Sequence, residues 1–387
     1  MTPTCHQVNL QSGFGGGEMY TVFFARALET LGVRTVLFAH PEATFWRAQL
    51  PSNAEIVPAT GEELTRRFAS LEDAWVVFHT PLPRAAVDAL HRAGAQATTF
   101  AHMPWHDRDA AALQGYDLIV PVSHHVAASL RARGLTQVYA EPLYGIADLK
   151  GARSAPGEEI LARPVYDWDR RKVRERVLRH LYPLWWRLQP PRVFARTPGI
   201  TLGIVSRLAT IKQFPQLFAL LAPVLARHPA FSLEIFGSGG YASVRDLRHA
   251  LAPLRDRVRW WGHQQNVGAV FAQLDYLMTG LPEKEALGLN VIEAQSSGLP
   301  VLAVNAPPFT ETVAAEITGL FYDDPRADGG AAFERLLRRL ENDPFVIEPQ
   351  RAAVHLAQFS EKAFTARVAR LAAHVGRLGP ARARSKP

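Results

Sequence analysis

The sequence predicts an α/β protein of two Rossmann-like domains, and three observations lead there. Short apolar runs recur at strand length, VNL near residue 8, then TVLFAH, WVVFHT, ATTFAHM and DLIVPVS, with amphipathic stretches such as Met19 to Leu31 between them. The same rhythm returns as TLGIVSRL, SLEIFGSG, RVRWWGH, DYLMTG and LPVLAV, with Gln213 to Arg227 as one of the helical spacers. Strands that alternate with helices need crossover connections, so each series implies βαβ units and a parallel sheet. The two series are separated by a segment rich in Arg, Pro and Trp that ends in the breaker-dense QPPRVFARTPG, which marks a domain boundary. A chain of 387 residues is also long for one core and comfortable for two.

These signals divide the chain into a first Rossmann-like domain over 1–149, a basic insert and linker over 150–199, and a second Rossmann-like domain over 200–365. The remainder, 366–387, reads as a helix end and a basic tail, RLGPARARSKP.

Composition narrows the class. Apolar residues at 48% and charged residues at 20% describe a globular chain rather than a disordered one. A single cysteine, Cys5, rules out an internal disulfide framework and a cysteine-built zinc site, so the expected compartment is the cytoplasm. MTPTCHQVNL lacks the basic start and apolar run of a leader, and no run approaches the roughly 18 to 20 apolar residues that span a bilayer. The formal charge of +7 favours anionic partners. No zinc-finger spacing, RNP-like segment or basic zipper accompanies it, so nucleic acid is not an expected partner.

Four segments could carry chemistry. Gly13-Phe14-Gly15-Gly16-Gly17-Glu18 lies between the first strand and its helix, where glycines let backbone amides approach an anion and a helix N-terminus adds positive potential. It is not the dinucleotide fingerprint, because the third glycine of G-x-G-x-x-G would fall at Glu18, and a plain tight turn is the alternative. Ser206 to Lys212, SRLATIK, follows the first strand of the second series. Arg207 and Lys212 there face the crevice where α/β folds bind ligands, although two such residues taken alone also describe a solvated surface pair. Phe236-Gly237-Ser238-Gly239-Gly240 follows a later strand and is either a ligand loop or a turn.

The fourth segment is the most informative. PEKEALGLNVIEA, from Pro282 to Ala294, runs from a glycine-containing loop into a helix that stops at SSGLP. Glu285 sits in the loop, the free amides around Gly288, Leu289 and Asn290 lie at the helix start, and Glu293 follows about one turn inside. By residue type alone the two glutamates also read as an acidic first-turn residue and an ordinary helix-surface residue.

The segment resembles the E-x7-E signature of retaining glycosyltransferases of the GT-B fold, the family-four group, in which E-x-F-G-x-x-x-x-E-A precedes small residues and G-x-P-V. EALGLNVIEAQSSGLPVLA matches both carboxylates, the glycine and the tail, and departs at Leu287, where the group usually has Phe. SRLATIK is similar to the group's G-R-L-x-x-x-K, IFGSGG to its strand and glycine loop, GFGGGE to its acceptor-side loop, and SHHVAASLRARGL to its S-x6-L-x3-G element. EPLYGIADL echoes P-N-G-V-D but lacks the Asn. The likeness covers both domains and omits 150–199.

The resemblance implies two Rossmann-like domains facing across a donor and acceptor cleft, with the first on the acceptor side and the second binding a nucleotide diphosphate sugar. It implies that Arg207 and Lys212 bind the diphosphate and stabilise the leaving group. Glu285 and the amides of Gly288, Leu289 and Asn290 would hold the sugar, Glu293 the ribose, Gly237 part of the donor loop, and Gly16 with Gly17 the transferred group. His102, in TTFAHMPWHDRD, resembles the group's active-site histidine, with His106 and Asp107 placed by proximity on the acceptor side. His79 and His124 share the ambiguity of any strand-end histidine. No D-x-D pattern accompanies these loops, so no metal or other cofactor is expected and the basic pair would replace one.

The insert adds a surface. In DWDRRKVRERVLRHLYPLWWRL, Val173, Val177, Leu181 and Leu184 follow helical spacing among many basic residues, with Trp185 and Trp186 beside them. Such a helix over 168–188 either lies on an anionic inner-leaflet surface or packs on the protein. The expected function is retaining sugar transfer from a nucleotide diphosphate sugar to a glycan or lipid-linked acceptor in cell-surface polysaccharide or lipopolysaccharide assembly. A GT-B epimerase or hydrolase, which would turn over donor without acceptor, and a catalytically silent membrane-surface scaffold are the competing readings.

Overall fold

The computed structural model describes residues 3–106, 108–147, 160–168, 173–342 and 347–378, without the side chain of Arg174. The chain forms two compact units, 1–147 with 357–387, and 148–356.

The first unit is built on six parallel strands: β1 (Thr4–Asn9), β2 (Arg34–Ala39), β3 (Glu55–Pro58), β4 (Trp75–Phe78), β5 (Gln96–Ala101) and β6 (Leu118–Pro121). Their order is β3-β2-β1-β4-β5-β6, so the direction of winding reverses between β1 and β4. Strands covered on both faces are apolar throughout, as Val76, Val77 and Phe78 of β4 illustrate. The short edge strand β3, EIVP, is only partly buried.

The last helix of the chain, Glu361–Leu378, belongs to this unit. Its buried residues Phe364, Val368, Leu371 and Val375 follow helical spacing, and the Phe364 ring lies 6.3 Å from Tyr20 and 6.0 Å from Phe23 of the helix Gly16–Thr30. Arg370 adds a two-pronged ion pair with Glu141. Apolar burial rather than chain proximity thus puts the C-terminal helix on the first sheet's helix layer.

The second unit holds β7 (Tyr166–Asp167), β8 (Ile200–Val205), β9 (Phe231–Phe236), β10 (Gly239–Gly240), β11 (Val258–Gly262), β12 (Tyr276–Met278), β13 (Val301–Val304) and β14 (Gly319–Tyr322). The main sheet runs β11-β9-β8-β12-β13-β14, all parallel, and β7 pairs with β10 apart from it. Winding reverses here between β8 and β12. One face of the sheet buries Leu202, Ile204, Phe218 and Phe333, the other Val205, Leu277, Val291 and Phe309. Glu234 of β9, fully buried, is neutralised by Arg259, whose Nε donates at 2.8 Å, and by Trp261 Nε1 at 2.6 Å.

The helix Val173–Arg187 presents two faces. Glu175 is buried on one, where Tyr182 packs among Tyr166, Trp168, Trp185 and Trp186, with ring centroids 5.4, 5.5, 5.6 and 6.0 Å away. Val173, Val177, Leu181 and Leu184 are exposed on the other, within a stripe roughly 80° wide at 3.6 residues per turn. The two tryptophans read as a pair in the sequence both meet Tyr182 but differ in burial: Trp186 is half-buried, and Trp185 is 53% exposed. No helix among the described residues is long and apolar enough to cross a membrane.

Candidate functional site

Ligands of open α/β sheets gather at the carboxyl ends of strands where the winding reverses. In the first unit that point lies after β1 and β4. Asn9, the last residue of β1, is buried; its Nδ2 donates to Thr21 Oγ1 at 2.9 Å and its Oδ1 accepts from the Gln11 amide at 3.1 Å. This clamp ties both ends of the glycine turn, so that the helix opens at Gly16 rather than at Met19.

Gly17 in the helix's first turn lies over the His102 ring: a Cβ built on it would stand 3.8 Å from His102 Cδ2. That is ordinary contact, so the glycine is not required by the imidazole. His102 follows β5 and His79 follows β4, and their rings, with Phe100, lie in nearly parallel planes at centroid separations of 5.0 to 5.5 Å. His79 Nδ1 is 3.3 Å from His102 Nε2, and His79 Nε2 is 2.8 Å from Gln7 Oε1 on β1. Burial pulls the His102 imidazole down to about 4, and it pulls His79 well below its ordinary value, helped by the proximity of His102. Both rings are therefore neutral at pH 7. His106 is exposed, 5.8 Å from the His125 ring, and Asp107 lies outside the described residues.

In the second unit the corresponding point lies after β8 and β12. Ser206 and Arg207 leave β8, and a single 3₁₀ turn, Thr210–Lys212, carries the lysine. Arg207 is exposed, and no side-chain partner meets it among the described residues. Lys212 Nζ is ion-paired with Glu285, with the two side chains 16% and 13% exposed. The turn is held by Gln213, in the left-handed region at φ 53°, whose Nε2 donates to Glu283 Oε1 at 3.1 Å; Arg326 grips the same carboxylate. Gly280 has room for no side chain, since its Cβ would lie 2.1 Å from the Lys212 carbonyl. Two successive strand ends are thereby locked together.

Gly288, at φ 84°, caps the helix Leu289–Ser296. A left-handed cap turns the chain sharply while leaving the first amides of the helix without intrahelical acceptors. The Asn290 side chain donates to the Val205 carbonyl at 3.1 Å, so it secures the helix start to the end of β8. Glu293 lies on this helix; burial raises its carboxyl to about 7, against the lowering effect of Lys212.

The glycine loop after β9 fits against the same strand end. Gly237, at φ 150°, would place a Cβ 1.9 Å from the Ser206 carbonyl, and the Leu208 amide donates to Ser238 at 2.8 Å. Gly237→Ala must displace backbone, and an overpacked buried site of this kind costs about 1–3 kcal/mol. Thermal unfolding should show that loss, and an unchanged melting temperature would contradict the packing described.

The structure thus gathers Arg207, Lys212, Gly237, Glu285, Gly288, Leu289, Asn290 and Glu293 around the β8 and β12 ends, and Gly16, Gly17 and His102 around the β1, β4 and β5 ends. Gln7, Asn9 and Gln213 carry no signal as single residues in the sequence. Only the pairing of distant strands makes them part of either site. Among the described residues no group of three or more His, Cys, Asp and Glu is arranged to hold a metal ion.

Two six-stranded parallel sheets with reversed winding, each with its loops at the switch point, define the GT-B fold class. The HepE protein of Anabaena, crystallised with UDP and glucose, shares this fold at a TM-score of 0.68 and 14% identity, over 96% of this chain and 100% of that one. A glycosyltransferase from Rickettsia africae ESF-5 does so at 0.70 and 15%, over 96% and 97%. Residues 190–358 match the model of the family described as Glycosyl transferases group 1. The GDP-mannose:cellobiosyl-diphosphopolyprenol alpha-mannosyltransferase of Xanthomonas oryzae pv. oryzae (strain PXO99A) is 28% identical over 154 residues, which are 38% of this chain and 40% of that protein. The chain therefore spans well under half the length of that curated relative.

Proposed function

We propose that this protein is a retaining, nucleotide-sugar-dependent glycosyltransferase acting in glycoconjugate assembly, on a glycan or lipid-linked acceptor. The observation that carries the reading is the partly enclosed Lys212–Glu285 pair at the β8 and β12 switch point, beside the exposed Arg207 and the helix N-terminus at Gly288. A cation, a second cation and a set of helix-terminal amides suit a diphosphate, and a carboxylate in the same place suits sugar hydroxyls. A relative named for a diphosphopolyprenol-linked acceptor and a structure of the same fold crystallised with UDP and glucose agree with that chemistry.

In the reaction, the acceptor oxygen bonds to the anomeric carbon as the bond from that carbon to the diphosphate oxygen breaks. The electron pair leaves with the nucleotide diphosphate, and the acceptor proton passes to a leaving phosphate oxygen on the same face. Arg207 and Lys212 stabilise the charge that develops there, Glu293 binds the ribose, and no protein nucleophile is assigned. Because those two cations supply the neutralisation, the reading includes independence from metal ions, with His102 beside the transferred sugar and His106 on the acceptor side.

The decisive experiment screens nucleotide sugars by thermal shift, then assays transfer with the best one. A true donor at 100 times its Kd adds about 2.7 kcal/mol. Turnover with acceptor present and unaffected by a chelator supports the reading. Donor consumed equally without acceptor identifies an epimerase or hydrolase, and Glu285→Ala with full transfer overturns the site assignment.

Peripheral attachment to an anionic membrane, in the cytoplasm, belongs to the same proposal. Its support is the exposed stripe Val173, Val177, Leu181 and Leu184, flanked by the exposed Arg176 and Arg187, an arrangement suited to an interface. Replacing Val177, Leu181 and Leu184 together by Ser should weaken sedimentation with anionic vesicles more than about tenfold, since each buried CH₂ contributes about 0.8 kcal/mol. Absence of vesicle binding by the unaltered protein would overturn the attachment, and self-association lost in the variant would identify a second copy as the partner instead.

A further inference from the structure

Three polar side chains form a row across adjacent strands of the first sheet. Gln7 comes from β1, His79 from the end of β4, and His102 from the end of β5, in the order in which those strands lie side by side. The row is buried at its centre: Gln7 is fully enclosed and His79 is 6% exposed. It contains two contacts, 2.8 Å between Gln7 Oε1 and His79 Nε2 and 3.3 Å between His79 Nδ1 and His102 Nε2. At its far end His102 Nδ1 is enclosed and has no hydrogen-bond partner.

With the Gln7 carboxamide oxygen turned to His79, an orientation that leaves the enclosed Gln7 Nε2 without a partner, these contacts fix proton positions. An amide oxygen only accepts, so His79 Nε2 carries the hydrogen it donates to Gln7. A neutral imidazole has one N–H, which makes His79 Nδ1 an acceptor, and the hydrogen of the second contact must come from His102 Nε2. His102 Nδ1 is then a bare lone pair. An enclosed acceptor without a partner is costly, and a neutral ring held in one tautomer is a prepared partner for a hydroxyl.

We propose that Gln7 and His79 are positioning residues that hold His102 in its Nε2–H tautomer, so that Nδ1 is kept as the acceptor for a hydroxyl of the bound sugar or acceptor glycan. The inference rests on the reading of His102 as a residue of the transfer site. Because Nδ1 is enclosed, the hydroxyl reaches it once Gly17, which lies over the ring, shifts on binding. Phe100 and Tyr20 cover the row with ring surface, so the tautomer is set by the row itself.

The test reads the tautomer directly, by imidazole nitrogen chemical shifts in the intact ¹⁵N-histidine-labelled protein, with His102→Gln assigning the resonance. His102 is expected to show a protonated Nε2 and an unprotonated Nδ1. Gln7→Met, close in size and without a hydrogen-bonding end, should average the two forms and lower kcat by roughly ten- to a hundredfold, the scale seen when an orienting partner is lost. KM for the donor should stay within about twofold if the effect is one of positioning. Gln7→Glu, which restores an acceptor oxygen, should restore the tautomer. If Gln7→Met does not fold, His79→Gln offers a second break in the row with the same expected outcome. A protonated His102 Nδ1 in the unaltered protein, or a tautomer unchanged when the row is broken, overturns the proposal. An intact tautomer with fully active His102→Ala would instead overturn the placement of His102 in the reaction and leave the proton order standing.

Discussion

Lys212→Ala is expected to lower kcat/KM for sugar transfer by about 10²–10³-fold, the loss typical of removing one preorganised group that stabilises developing charge. Lys212 sits on a 3₁₀ turn whose carbonyl is wedged against Gly280 and whose next residue is tied to Glu283. Its ammonium therefore reaches the switch point with little freedom, and it is ion-paired there with Glu285. On the proposed reading, a donor diphosphate would share or displace that carboxylate and so free Glu285 for the sugar. Alanine removes the cation and strands a mostly enclosed carboxylate at the place where the diphosphate should bind. Lys212→Arg keeps the charge but not the ammonium's compactness, so partial activity is expected. Steady-state kinetics with the identified donor provides the check, and an alanine variant within threefold of the parent would remove Lys212 from the mechanism.

Glu293→Gln should change how stability depends on pH. The carboxyl rises from 4.5 to about 7 through burial, with Lys212 opposing. Between those values the folded chain retains a proton that the unfolded chain has released, so this group's contribution is full below pH 4.5 and is lost as pH rises to 7. A shift of that size corresponds to about 3 kcal/mol. His102, lowered from 6.5 to about 4, has the opposite sign: its contribution is full above 6.5 and is lost as pH falls toward 4. In the unaltered protein the two partly cancel between pH 4.5 and 6.5. Subtracting one unfolding curve from the other isolates Glu293, and the stability of Glu293→Gln relative to the parent should climb between pH 4.5 and 7 and level off above. A difference that stays flat across that range would mean that the carboxyl is not held protonated.

The legible part of the fold was its rhythm. β1, β2, β4, β5 and β6, then β8, β9, β11, β12 and β13, each stand out as apolar runs; most are central parallel strands buried on both faces, and the edge strands β6 and β11 still carry apolar residues. Of the strands in the two main sheets, the two that were missed, β3 and β14, lie at sheet edges; β3 is short and half-buried, and β14 is the four-residue GLFY, while the two-residue strands β7 and β10 are too short to leave a pattern. The helix Glu361–Leu378 was legible as a helix but not as part of the first unit. Periodicity shows that a helix has an apolar face, not which surface covers it.

The candidate site divides in the same way. Arg207, Lys212, Glu285, Gly288 and Glu293 were found from local spacing and family likeness because they sit in two continuous segments. That Lys212 meets Glu285 depends on β8 and β12 being neighbours, 73 residues apart in the chain, and no spacing rule encodes it. Trp185 and Trp186 looked equivalent as adjacent aromatics, and both do meet Tyr182, but the helix half-buries Trp186 and leaves Trp185 53% exposed.

By itself, then, the sequence determined two α/β units, the loops that follow their strands, and the chemical types gathered there, since these follow from hydrophobic period and residue identity over short stretches. Only the tertiary structure decided that Gln7, His79 and His102 form one row, that Lys212 rests on Glu285, and that the cationic helix keeps an apolar stripe in the open. Each of those depends on which strands and faces lie side by side, and burial and proton positions follow from that adjacency.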